Sequence, residues 1–107
     1  MDERLYGLHV EICKAIAHPH RMKVLDLLRA GERCVCELAP EVGITESNLS
    51  QHLSILRKAG LVDTRREGHA VLYRMRDRRL FNVIDEMRAI LADQLARADT
   101  ALAALQV

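Results

Sequence analysis

The chain is 107 residues long, half of them hydrophobic, with a formal net charge of +1; this suits one domain with a small core and excludes a nonspecific polycation. One Phe, two Tyr and no Trp leave Leu, Val, Ile, Ala and Met to build that core, a composition that favours packed helices. No apolar run approaches the length that crosses a bilayer, and Met1-Asp-Glu-Arg-Leu5 lacks the basic and apolar regions of a signal peptide, so a cytoplasmic protein with no membrane partner is expected.

Taken in order, residues 3 to 17 place Leu5, Leu8, Ile12 and Ile16 on one stripe of a first helix, with His9 and Cys13 at its margin. Pro19 suits the first position of a second helix that runs to about Arg29 and stops at Gly31, with Met22, Leu25 and Leu28 facing the core. Residues 32 to 43 read as a short third helix with Val35, Leu38 and Val42 apolar, and Gly43 turns the chain into the next. Thr45 is an N-cap before the periodic Leu49, Leu53 and Leu56, and Gly60 is the stop. Short helix, glycine turn, helix over about 34–59 is a helix-turn-helix arrangement.

The fourth helix has an unusual outer face. Ser47, Asn48, Ser50, Gln51 and His52 are short or planar hydrogen-bonding groups, with cations only at Arg57 and Lys58. Base edges in a DNA major groove need such donors and acceptors, and phosphates need the cations behind them.

After Gly60 the period changes to that of strands. Runs 61–66 and 70–75 are joined by Glu67-Gly68-His69, a β-hairpin whose basic tip of Arg65, Arg66 and His69 suits a wing against phosphate or the minor groove. Residues 47 to 79 hold eight Arg and Lys against three acids, a net +5 that leaves −4 elsewhere, so the positive field is concentrated around the reading helix and wing. From Arg78 to Leu105 a last helix carries apolar or small residues at spacings of three or four. At ~1.5 Å per residue it spans roughly 40 Å, too long to bury its stripe within one small domain, so a second copy is expected to pack on it and on the first helix.

Cys13, Cys34 and Cys36 are an odd count, unsuited to a disulfide framework and suited to free thiols, metal ligands or redox chemistry.

Four stretches together resemble the ArsR/SmtB family of bacterial metal-responsive repressors: Lys14-Ala-Ile-Ala-His-Pro-His-Arg21, Cys34-Val-Cys-Glu-Leu38, Ser50-Gln-His-Leu-Ser-Ile-Leu-Arg-Lys-Ala-Gly-Leu-Val62, and Gly68 through Arg74. The likeness covers nearly the whole chain. It implies a mainly α winged helix-turn-helix with a small β-hairpin, one domain over 1–107, dimeric through its first and last helices and not an enzyme. It also implies a repressor on an inverted-repeat operator that needs no cofactor for DNA binding and lets go on binding a thiophilic ion. The Cys-Val-Cys motif is that of the arsenic, antimony, cadmium and lead responders, so As(III) or Sb(III) is the expected inducer and Cd(II) or Pb(II) the alternative. By position Ser47, Ser50 and His52 fall on the recognition helix; Asn48 and Gln51 are added for their chemistry.

Two positions depart from that pattern. Many arsenic responders place a third cysteine where this chain has Ala39, and residues 78 to 107 contain no His or Cys, which argues against the family's zinc site on the last helix.

Thiolates are soft ligands suited to these ions. On a regular helix, however, Cys34 and Cys36 diverge by about 200° at ~3.6 residues per turn, so the first turn is expected to be irregular or to unwind on binding. Pro40 cannot donate to the Cys36 carbonyl and weakens that turn. A trigonal As(III) site needs a third donor. Cys13, from the same protomer or its partner, is the first candidate, with His9 and a purely structural Cys13 as alternatives. His18, His20 and His69 are read as a helix-junction residue, a surface group and a wing residue.

The rival function is a DNA-binding repressor that senses thiol oxidation or persulfide. An oxidoreductase is disfavoured because no C-x-x-C lies in a βαβ context, and a metal buffer would leave residues 47 to 52 unexplained.

Overall fold

Side-chain capping fixes where the first elements begin in the computed structural model, which describes residues 1–106. The Asp2 carboxylate accepts from the Arg4 N–H to start α1 (Glu3–Ile16), and His18 Nδ1 accepts from the His20 N–H to start α2 (Pro19–Leu27), with Pro19 in its first turn. A 3-10 turn, Leu28–Ala30, ends α2 earlier than its periodicity suggests.

A two-residue strand, β1 (Arg33–Cys34), replaces the first turn expected for the third helix, so α3 spans only Val35–Val42 and α4 follows at Glu46–Lys58. Strands β2 (Val62–Glu67) and β3 (Ala70–Met75) form the expected hairpin, and β1 pairs antiparallel with the far side of β3, giving the order β1-β3-β2. The register sets Cys34 opposite Leu72 and Glu67 opposite Ala70, so the hairpin loop is the two residues Gly68 and His69. Gly68 has φ +62°, the left-handed value such tight loops require.

The core of Met1–Asp77 is aliphatic. Val24, Leu25, Leu38, Leu49, Leu53, Leu56 and Val62 have no exposed surface at all, each burial worth about 1.5–3 kcal/mol. The 49, 53, 56 spacing seals one face of α4 onto α2 and α3 and turns the opposite face outward.

The chain from Arg78 onward is a second compact unit, almost all of it α5 (Arg79–Leu105). Phe81 and Ile84 are buried, and the Arg78 guanidinium lies 5.0 Å from the Phe81 ring centre. Val83, Met87, Ile90, Leu91 and Leu95 are exposed, as are Leu5, Tyr6, Leu8 and Val10 of α1. No helix among the described residues is long and apolar enough to cross a membrane.

Candidate nucleic-acid interface

The outward face of α4 is set by its two ends. Thr45 Oγ1 accepts from the Asn48 N–H at 3.1 Å. At the other end the N–H groups of Gly60 and Leu61 return to the carbonyls of Arg57 and Leu56 at 2.9 and 3.0 Å, a Schellman closure that needs Gly60 at φ +79°. Between these ends Ser47, Asn48, Ser50 and Gln51 are exposed, with Arg57 and Lys58 exposed in the last turn. The polar face is therefore presented as one continuous strip with its cations at the C-terminal end.

His52 departs from that strip. It is half-buried, its ring centre 4.4 Å from that of His18 and 5.5 Å from that of His20. His20, expected at the surface, is half-buried in the same cluster, 5.2 Å from His18. Burial pushes His18 and His52 below the ordinary imidazole value, and charge from Arg21 and the neighbouring imidazoles adds to it in both.

On the wing, Arg65, Arg66 and His69 are exposed. Arg65 is not a free cation: its Nε donates to Glu32 at 2.7 Å and its Nη2 to Glu67 at 3.1 Å. Each of these acids is an alternative partner to a phosphate. Arg33 is similarly taken by Glu41, at 2.8 and 2.9 Å, and Arg76 by Asp63 at 2.8 Å.

Cys34 and Cys36 are joined as a disulfide, their Cα atoms 5.3 Å apart. The expected divergence does not arise because Cys34 is not helical. It is the extended last residue of β1, with ψ 163°, and α3 begins after it. The irregularity expected of this turn lies in the strand-to-helix junction, ahead of α3 and not inside it. Pro40 lies inside α3 and has no N–H to donate to the Cys36 carbonyl four residues before it. Cys34 is buried and Cys36 exposed. Cys13 is a free, exposed thiol on α1.

The two sulfur-bearing residues open onto a groove of about 450 Å³ that they share with Glu46, Ser47 and Ser50 of α4 and with His69, Val71 and Tyr73 of the wing. Sequence reasoning had assigned the thiols and the DNA-facing groups to separate elements. Only the pairing of β1 with β3 places them around one depression.

Comparison with known proteins bears on the family and the fold. Residues 18–64 match the family described as bacterial regulatory protein, arsR family. The chain is 41% identical over 96 residues to the uncharacterized HTH-type transcriptional regulator Rv0081 of Mycobacterium tuberculosis, covering 89% of this chain and 84% of that one. The Rv0081 crystal structure superposes with a TM-score of 0.80 over 89% of this chain and 96% of its own. The HTH-type transcriptional repressor SmtB of M. tuberculosis is 39% identical over 69% of this chain and 55% of its own length. A homodimeric winged helix-turn-helix DNA-binding domain from Mycobacterium bovis, solved by NMR, is 30% identical, with a TM-score of 0.79 over 89% of this chain and 91% of its own.

Proposed function

We propose, for a chain that belongs to the arsR family of bacterial regulatory proteins and is a DNA-binding transcriptional repressor of the winged helix-turn-helix type, that release from DNA is triggered at the Cys34–Cys36 pair by a thiophilic ion. Arsenite or antimonite is the first-choice inducer, and Cd(II) or Pb(II) the alternative. The repressor holds an inverted-repeat operator as a homodimer, reading bases with Ser47, Asn48, Ser50 and Gln51 and gripping phosphates with Arg57, Arg66 and His69.

The observation that carries this reading is the shared groove, in which the sulfur pair faces the start of the reading helix and the tip of the wing. An ion held there would press on Ser47, Ser50 and His69 and pull on the strand junction that ties Cys34 to Leu72. Operator and ion would then oppose one another, each weakening the other by the same factor.

The chemistry closes in the dithiol form. Arsenous acid would condense with the two thiols, releasing two waters and leaving an S–As–S bridge that bears one hydroxyl, and a third thiol would displace that hydroxyl as a third water. Cys13 is the candidate third donor, from its own protomer or the partner.

The disulfide itself favours a second reading. Peroxide takes two electrons and two protons from the pair, yielding the disulfide and two waters, so oxidation alone would be the signal.

Fluorescence anisotropy on the DNA upstream of the protein's own gene separates these. Under strict reduction, arsenite should release the wild type and fail on Cys34→Ser. Release by peroxide alone would establish the redox reading instead, and no affinity for that DNA would remove both.

A further inference from the structure

We propose that His18, His20 and His52 form a second site, for a borderline divalent transition-metal ion such as Zn(II), which clamps the reading helix α4 to the start of α2. It is independent of the thiol pair and of the inducer assigned to it.

Each of the three residues offers a ring nitrogen, and these three atoms lie within 4.8 Å of one another. An ion with ~2.0 Å bonds at tetrahedral angles needs its donors about 3.3 Å apart, a contraction within reach of side-chain rotation. All three residues are half-buried, so an ion entering the cluster displaces little water. The Nδ1 atoms of both His20 and His52 are shielded from solvent, and no group among the described residues hydrogen-bonds them. Buried polar atoms are ordinarily satisfied, and an ion shared between imidazoles would do that. Neutral imidazole suits Zn, Cu and Ni, whereas the sulfur pair suits softer ions.

Two features shape the site. His18 Nδ1 accepts the His20 N–H at 3.1 Å, so the proton of neutral His18 sits on Nε2. Ligation through either nitrogen therefore ends that hydrogen bond, and ion and α2 N-cap compete. Arg21 lies close enough for its charge to act on both His18 and His52, and its Nε is also buried without a partner among the described residues. No carboxylate belongs to the ligand group. Water, hydroxide or chloride would complete the tetrahedron, and the Arg21 charge nearby favours the anions.

The test uses the full chain with Cys13, Cys34 and Cys36 all changed to Ser, so that no thiol competes. Calorimetric titration with Zn(II) should show one ion per protomer, with affinity falling at least tenfold in His20→Gln and unchanged in His9→Gln and His69→Gln. Proton NMR of the ring resonances gives a second readout that needs no histidine variant: of the five histidines, three should shift at one equivalent while His9 and His69 stay put. Absence of stoichiometric binding, or shifts centred on His9 or His69, would overturn the site.

Discussion

Arg65 Nε donates to Glu32 Oε2 across 2.7 Å, joining the wing to the segment just ahead of Cys34 over 33 positions of sequence. The bridge does two things: it occupies a cation the wing could offer to phosphate, and it fastens β2 to the entrance of β1.

Removing the acid should free the cation. Glu32→Gln is expected to tighten binding to any duplex by about two- to fivefold and to steepen the salt dependence by up to about one unit. Equal affinity and slope in anisotropy titrations at several salt concentrations would show that Arg65 never meets DNA. The bridge has a defined pH range. The hydrogen bond from Arg65, with its charge behind it, holds the Glu32 carboxyl below the ordinary carboxylate value. A depressed folded-state value means the contribution is complete at neutral pH and is lost only as pH falls through that lowered value. The wild-type and Glu32→Gln difference should therefore be constant from pH 6 to 8.

Reading and gripping should separate. Gln51 is exposed on the helical strip and Arg66 on the wing. Gln51→Ala should reduce preference for the operator over random DNA. Arg66→Ala should weaken binding to both alike and lower the salt slope by about one unit. Identical losses on both DNAs in the two variants would refute that division.

The α4 start is a stability element as well as a positioning one. Thr45→Ala removes the acceptor of the Asn48 N–H and should cost about 1 kcal/mol in urea denaturation, with a smaller loss on Thr45→Ser. Unchanged stability would mean that the cap is replaced by water.

The exposed apolar residues of α1 and α5 should be covered by a second copy. Leu8 is 63% exposed and Leu91 51%, and exposed apolar residues in such numbers on a helix mark an interface. Leu8→Glu and Leu91→Glu should each shift sedimentation towards the monomer and reduce operator affinity at least tenfold. Dimers that survive both changes would place the interface elsewhere.

Cys13→Ser should leave DNA binding intact and blunt release by arsenite about tenfold. An unaltered arsenite response, measured by anisotropy under reduction, would make Cys13 a bystander.

Local chemistry made much of this protein legible from its sequence. The 49, 53, 56 spacing, the Thr45 cap, the Gly60 closure and the Gly68 turn each act within a few residues, so the α4 helix and the hairpin could be placed from residue types alone. The exposed amides of α4 were legible for the same reason, because helical period fixes which side chains share a face.

What the sequence could not reveal depends on partners distant along the chain. Strand β1 is two residues long, too short for any period, and exists because β3 offers a free edge. That pairing holds Cys34 extended, which lets it meet Cys36, and it gathers the thiols, the start of α4 and the wing tip around one groove. His52 looked like a fourth-helix reader and His20 like a surface group until packing of α2 on α4 brought them together. Residue types and their short-range spacing determined the elements and the outward strip; the juxtapositions came from burial and edge pairing between segments tens of residues apart, which no local pattern records.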